Sequence, residues 1–234
     1  MVKTTISVIK ADVGSIVGHH KPHPKMIELM NRILSESQQT GLINSFYVYS
    51  VGDDIGIVLT HYRGEGDSEI HELAWDAFKR ITEEISKPMK LYAAGQDLLS
   101  NAFSGNLRGL GPGVAELEFE ERKSDPVIVF AADKTEPGAW NLPLYKIFAD
   151  PFNTAGLVID PRLHQGFVFE VVDVLEGRKI KLKAPEECYD ILALLGTTST
   201  YAIKRIYKKG TEPLEERIAA EVCTEKLNVQ AGRY

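Results

Sequence analysis

Cysteine is nearly absent from this chain. Two thiols, Cys188 and Cys223, in 234 residues exclude a disulfide framework, and their separation excludes a thiolate metal site. Buried free thiols in a reducing, cytoplasmic compartment are the expectation. Long apolar runs are missing too. No stretch approaches the roughly 20 residues that span a bilayer, and Lys3, Lys10 and Asp12 interrupt the first apolar run, which leaves no signal-peptide core there. A basic excess is also lacking: 27 Lys and Arg stand against 33 Asp and Glu, a net charge of -6. The one basic cluster, Lys204-Arg205 and Lys208-Lys209, is interrupted by Ile206 and Tyr207 and reads as a solvated strand face. Neither nucleic acid nor membrane is an expected partner. No Gly-x-Gly-x-x-Gly turn follows the first strand and no Walker A loop occurs, which argues against a doubly wound nucleotide-binding sheet.

What remains is an ordinary soluble composition, 44% hydrophobic and 26% charged, long enough for a sizeable core. A single domain over residues 1–234 is expected. Three apolar runs stand out because each ends on aspartate. Residues 4–11 lead into Asp12, residues 46–52 into Asp53 and Asp54, and residues 127–132 into Asp133. Their β-branched and aromatic content predicts strands, whose last residues surface at a sheet rim. Taken singly, an aspartate there is a turn residue, and Gly52-Asp53-Asp54 sits where a hairpin would turn into the next run, residues 55–61. Taken together, carboxylates meeting at one edge repel and raise each other's pKa unless a cation lies between them. Hard oxygen donors suit Mg2+, Mn2+ or Ca2+, and the metal site is the preferred reading.

Elsewhere, Pro24 is placed to open a helix, with Met26, Ile27, Met30, Ile33 and Leu34 at helical spacing and Gly41 to close it. Ser68 is placed to cap a second, whose inner face carries Ile70, Leu73, Ala74, Ala77, Phe78, Ile81 and Ile85. Residues 95–113 form a long glycine-rich loop whose leucines predict packing and whose Ser104, Asn106 and Arg108 offer donors to an anion. Residues 114–122 alternate, predicting a strand with Glu116, Glu118 and Glu120 on a wet face. Pro143 and Pro151 break up the next stretch. A hairpin over 166–174 and 178–183 turns at Glu176-Gly177, Pro185 opens a third helix closed by Gly196, and residues 201–207 form a further strand. Strand pairs outnumber crossovers. The predicted class is α/β (α+β), a layered α-β-β-α sandwich with mixed, mostly antiparallel sheets.

Several longer blocks point further. Ile-Lys-Ala-Asp-x-Gly-Ser at 9–15, Val-Gly-Asp-Asp at 51–54 and Leu-Tyr-Ala-Ala-Gly-Gln-Asp-Leu-Leu-Ser at 91–100 resemble the archaeal-type bifunctional fructose-1,6-bisphosphate aldolase/phosphatase family. So do Phe-Ser-Gly-Asn-x-Arg-Gly-Leu-Gly-Pro-Gly-Val-Ala-Glu at 103–116, Ala-Asp-Lys-Thr-Glu-Pro-Gly-Ala at 132–139 and Phe-Ala-Asp-Pro-Phe-Asn-Thr at 148–154. The resemblance implies condensation of dihydroxyacetone phosphate with glyceraldehyde 3-phosphate through a lysine Schiff base. It then implies hydrolysis of the 1-phosphate of fructose 1,6-bisphosphate with several Mg2+ ions, a step of gluconeogenesis, in a cytoplasmic homo-oligomer. By resemblance, Asp12, His19, Asp53, Asp54, Gln96 and Asp133 are metal ligands, and His19, Tyr92, Gly105, Asn106 and Lys134 touch the sugar phosphate. Tyr234 matches the proton-transferring tyrosine of the aldolase half-reaction, and residues 95–113 match a mobile lid.

In the family, Ala-Gly-Lys-Tyr is followed by Val-Gly-Lys-Asp-Asp, which holds the Schiff-base lysine and further metal aspartates. This sequence ends at Ala231-Gly232-Arg233-Tyr234. The expectation is the N-terminal part of a longer enzyme, with Mg2+-dependent fructose-1,6-bisphosphatase activity and no aldolase half-reaction from these residues alone. Two other classes stay open. A non-catalytic sugar-phosphate- or metal-binding remnant or assembly module would bind without turnover. A Ca2+-stabilised structural domain would show a melting shift with Ca2+ and none with fructose 1,6-bisphosphate.

Overall fold

β1 (Lys3–Ala11) is the spine of the first of two units into which the chain's contacts divide it, Met1–Lys134 and Thr135–Tyr234. The computed structural model describes residues 3–95, 98, 112–121, 126–133, 135, 137–154, 160–210 and 217–223. Successive side chains of a strand point to opposite faces. Thr5, Ser7, Ile9 and Ala11 of β1 are all buried on one face. β2 (Ser45–Val51), β3 (Asp54–His61) and β4 (Gly113–Glu120) complete an antiparallel sheet of order β2-β3-β1-β4, in which Ile9 lies opposite both Ile57 and Val114.

α1 (Pro24–Gln39) and α2 (Ser68–Ile81) cover that face. The apolar residues at three- and four-residue spacing, Met26, Met30, Ile33 and Leu34 on α1 and Ile70, Ala74, Ala77, Phe78 and Ile81 on α2, are buried with Ile9, Ile55, Ile57 and Leu59. Each large apolar side chain so buried stabilises the fold by roughly 1.5–3 kcal/mol. Pro24 occupies the first turn of α1, as the sequence predicts. The cap of α2 is Asp67 rather than Ser68: its carboxylate accepts the Glu69 and Ile70 amides, both at 3.1 Å. α2 runs on into a π-helical turn, Thr82–Ser86, which adds Ile85 to the same core.

The second unit repeats the scheme with β5 (Phe167–Asp173), β6 (Lys179–Ala184), β7 (Tyr201–Lys208) and β8 (Ile218–Glu221), antiparallel in the order β6-β5-β7-β8. α3 (Asn141–Phe148) and α4 (Cys188–Leu195) bury Leu144, Ile191 and Leu195 with Phe167, Phe169, Val171, Ile203 and Ile206. Asn141 fixes α3 in place. Its amide donates to the carbonyls of Leu195 and Tyr201, and its Oδ1 accepts the Ile203 amide. Both sheets are antiparallel and each carries its own helices, so the α+β class and the antiparallel preference hold.

Three expectations are corrected. Residues 127–130 enter no ladder among the described residues, and their side chains are 41–69% exposed. Glu116 does not face water but is 8% exposed beneath α2. The helix after Pro185 begins at Cys188, and α3 and β8 arise where the sequence pattern predicts neither. Of the loop at 95–113, residues 96, 97 and 99–111 lie outside the described residues, while Leu98 packs on the first core. Among the described residues, no helix is long and apolar enough to cross a membrane.

Candidate metal centre

The β2–β3 hairpin turns through Gly52 and Asp53, with Val51 opposite Asp54. Gly52 has φ 56° at the first corner of this two-residue turn, the position where a II′ geometry favours glycine. The turn holds Asp53 and Asp54 side by side at the sheet rim, where both are buried. β1 runs antiparallel to β3 with Ala11 opposite Ile55, so the next residue, Asp12, arrives beside the same turn. The Asp12 Oδ1 accepts the Gly14 amide at 3.1 Å. The following loop returns His19, at φ 50°, a left-handed conformation uncommon outside glycine. Its Nδ1 stands 2.7 Å from Asp53 Oδ2. Asp133 stands against Gly52, where an added Cβ would meet its carboxylate.

Two ligand groups result. Asp12, His19 and Asp53 each place a ligand atom within 4.8 Å of the others, and so do Asp53, Asp54 and Asp133. Asp53 belongs to both. Two carboxylates about 4.8 Å apart repel by roughly 3–4 kcal/mol at an effective dielectric of 20, which a cation between them reverses. Ligands at about 2.1 Å from one Mg2+ lie at most about 4.2 Å apart, so sub-ångström side-chain shifts would close either group on an ion. The donors are carboxylate oxygens and one imidazole, without a thiolate, as Mg2+ or Mn2+ prefers.

Tyr92 stands beside this cluster. Its backbone pairs with Ser15 at 3.0 Å in both directions, and its half-exposed ring meets His19 edge-on, with centroids 4.1 Å apart. Five predicted ligands, Asp12, His19, Asp53, Asp54 and Asp133, together with Tyr92, are thus brought to one place. Gln96, Gly105, Asn106, Lys134 and Tyr234 lie outside the described residues.

Sequence reasoning missed two neighbours of Asp54. The Lys10 ammonium pairs with Asp54 Oδ2. Tyr49 lies on the same sheet face as Lys10, because both pair directly with Gly56, one on each side. The far end of the Tyr49 ring crosses over Gly56, where a Cβ would stand 2.1 Å from its Cζ. Burial, with the negative charge of Asp54 adding to it, pushes the Tyr49 phenol up to about 12, so it is a hydrogen-bond donor at neutral pH. The sequence signal was Gly56 itself: a glycine inside a strand marks close approach of another group.

A second polar network lies under α2, around Ser7 in the middle of β1. The Arg63 amide donates to His61 Nδ1 at 3.3 Å, which leaves the ring proton on Nε2 for Ser7 Oγ at 2.8 Å. Ser7 in turn donates to Glu116 Oε1 at 2.6 Å, and Glu116 also accepts from the Gly66 amide and from His71 Nε2. Burial pushes the Glu116 carboxyl up, but the hydrogen bonds from His71, Ser7 and Gly66 outweigh it and hold it below the ordinary value. Burial holds His61 below its ordinary value as well, despite the charge of Glu116. This relay shares no residue with the acidic cluster and reads as structural.

Comparison with known proteins agrees with the motif pattern. The family described as fructose-1,6-bisphosphatase matches residues 3–234. The chain is 60% identical over 232 residues to the fructose-1,6-bisphosphate aldolase/phosphatase of Ignicoccus hospitalis, covering 99% of this chain and 58% of that protein. It is 55% identical over 232 residues to the proteins of the same name from Metallosphaera sedula and Methanothermobacter marburgensis, again over 99% of this chain and over 59% and 62% of theirs. This chain therefore spans 58 to 62% of the length of these curated relatives. By a match that runs from residue 3 to residue 234, the chain belongs to the fructose-1,6-bisphosphatase family.

Proposed function

We propose that this chain carries the phosphatase machinery of a fructose-1,6-bisphosphate aldolase/phosphatase: Mg2+-dependent hydrolysis of the 1-phosphate of fructose 1,6-bisphosphate, giving fructose 6-phosphate and phosphate. The relatives' names support the substrate. The observation that carries the chemistry is that Asp53 belongs to both ligand groups. Bound there, a pair of divalent cations supplies charge neutralisation at the phosphoryl oxygens and lowers the pKa of an attacking water.

The residues of this chain have separate tasks. Asp12, His19 and Asp53 form one cradle, and Asp53, Asp54 and Asp133 the other. His19 must present a ring nitrogen without its proton to act as a ligand, and its contact with Asp53 Oδ2 orients the ring toward the shared carboxylate. Tyr92, half exposed against His19, flanks the side from which a sugar phosphate would enter. Lys134, adjacent in sequence to Asp133, brings a cation suited to the transferred phosphoryl group. A cytoplasmic homo-oligomer acting in gluconeogenesis is the setting that goes with this assignment.

Phosphate release from fructose 1,6-bisphosphate, measured with Mg2+ and with EDTA, is the test. EDTA is expected to abolish release, and Asp53→Asn to reduce it at least a hundredfold. Binding of Mg2+ and sugar phosphate without any turnover would instead leave a non-catalytic module.

A further inference from the structure

Asp54 has two polar neighbours that no ligand role explains. One, Lys10, holds its carboxylate in an ion pair 22% and 7% exposed at its two side chains. The other is Tyr49, whose hydroxyl oxygen is buried and, among the described residues, has no hydrogen-bond partner. Leaving a buried hydroxyl unmatched costs about 1–3 kcal/mol, and native proteins seldom retain such a group without a use for it.

The register fixes where that hydroxyl points. Phe46 and Val48 of β2 pack on the helix-covered core, so Tyr49 points to the opposite sheet face. It sits in one cross-strand row with Gly56 and Lys10. Asp54 lies two residues before Gly56 on that same face. The Cζ of Tyr49, which bears the hydroxyl, is the atom closest to the missing Gly56 Cβ, and the two flanking Cε atoms are equally distant at 2.5 Å. The hydroxyl-bearing end of the ring therefore lies over Gly56 and its oxygen points past β3 toward the row of Lys10, close enough for the Asp54 charge to act on the phenol. Any side chain at residue 56 would block this. Tyr49 and Gly56 form a matched pair that places a phenol on the sheet face shared by Lys10 and Asp54.

We propose that Tyr49 is a positioning residue of the cation site: its hydroxyl donates to the Asp54 carboxylate when that carboxylate turns from Lys10 toward a divalent cation. In the structure Lys10 pairs with Asp54, and among the described residues the phenol has no acceptor. In the loaded state Asp54 gives up the Lys10 contact, one of its oxygens faces the ion, and the other takes the Tyr49 proton donor. A carboxylate ligand so held cannot swing back to Lys10. Partners of this outer kind are typically worth 10- to 100-fold in metal affinity. The inference rests on the metal-site assignment above.

The test is Mg2+ titration calorimetry on the whole chain, with melting temperatures in EDTA, for wild type, Tyr49→Phe and Tyr49→Phe/Lys10→Met. Phenylalanine keeps the ring over Gly56 and removes only the oxygen. The expected result is an unchanged or raised melting temperature in EDTA, because an unmatched polar atom is gone, with a Mg2+ dissociation constant about tenfold higher. Substituting Lys10 as well is expected to recover part of that loss, since the competing cation is removed. A Tyr49→Phe protein with wild-type Mg2+ affinity overturns the inference while leaving the metal site intact. So does a protein that melts several degrees lower in EDTA at unchanged affinity, which would make the phenol purely structural. Wild type that takes up no Mg2+ overturns both this inference and the proposed function.

Discussion

Gly52 and Asp133 are placed so that residue 52 has no room for a side chain: an ideal Cβ there would stand 2.0 Å from Asp133 Oδ2 and 2.6 Å from its Cγ. Gly52 also has φ 56°, a region that costs an alanine roughly 1–2 kcal/mol. Gly52→Ala is therefore expected to destabilise the first unit by that amount and to push Asp133 out of the group it forms with Asp53 and Asp54. Calorimetric Mg2+ binding should lose one site and keep the other. Retention of the full stoichiometry would show that Asp133 is not a ligand.

Because Asp53 is common to both groups, single amide substitutions should separate them. Asp12→Asn is expected to weaken one cation site and Asp133→Asn the other, each with partial loss of bound Mg2+. Asp53→Asn should remove both. The measurement is metal stoichiometry after dialysis, which does not depend on turnover. Equal effects from all three substitutions would mean one shared ion rather than two.

On the proposed assignment, Lys10 would compete with a divalent cation for Asp54, with which it pairs in the structure. Removing one partner of a largely buried ion pair leaves an uncompensated charge, an effect of about 3 kcal/mol. Lys10→Met should therefore lower the melting temperature in EDTA, roughly 5 °C for each kcal/mol at the small end of domain sizes and less in a larger unit. Mg2+ should bind this variant more tightly than wild type, and the Mg2+-induced rise in melting temperature should be larger. A variant that loses stability and Mg2+ affinity together would assign Lys10 a structural role instead.

The elements that followed local rules were legible in the sequence. α1 and α2 carry apolar residues at helical spacing, and the β2–β3 hairpin has its glycine at the turn. The aspartates at the ends of β1 and β2 could be seen converging because a strand's direction and a hairpin's register are short-range properties. α3 was not legible, since Pro143 breaks its pattern, and what holds it is Asn141 bonding to Leu195, Tyr201 and Ile203, more than fifty residues away. Residues 127–130 show the converse: strong strand preference, which fits a pleated and half-buried surface, does not by itself make a strand, and among the described residues they enter no ladder. Glu116 looked like a wet position in an alternating run. Its three hydrogen-bond partners come from β1, α2 and the loop before α2, and none of these is near it in sequence. Lys10 and Tyr49 escaped notice for the same reason. Their placement on either side of Gly56 is a fact of cross-strand register across three strands.

The buried relay of His61, Ser7 and Glu116 makes the first unit sensitive to acid. The folded pKa of His61 lies below its usual 6.5. The unfolded chain therefore takes up that proton first, so the stability tied to neutral His61 is full above about 6.5 and is lost as pH falls below it. The folded pKa of Glu116 lies below its usual 4.5, so its contribution is full above about 4.5 and is lost as pH falls further through the folded value. Both effects have the same sign. Protonating His61 at Nδ1 also breaks its contact with the Arg63 amide, which needs that nitrogen as acceptor. Denaturant midpoints between pH 3 and 8, followed by Trp75 of α2 in a Trp140→Phe background, should be flat above about pH 6.5 and decline below it. Glu116→Gln should lower the midpoint at neutral pH and flatten the part of the decline below about 4.5, and, because the Glu116 charge holds the His61 value up, it should deepen the decline that begins below about 6.5. A Glu116→Gln profile parallel to wild type down to pH 3 would show that this carboxylate does not govern the acid limb.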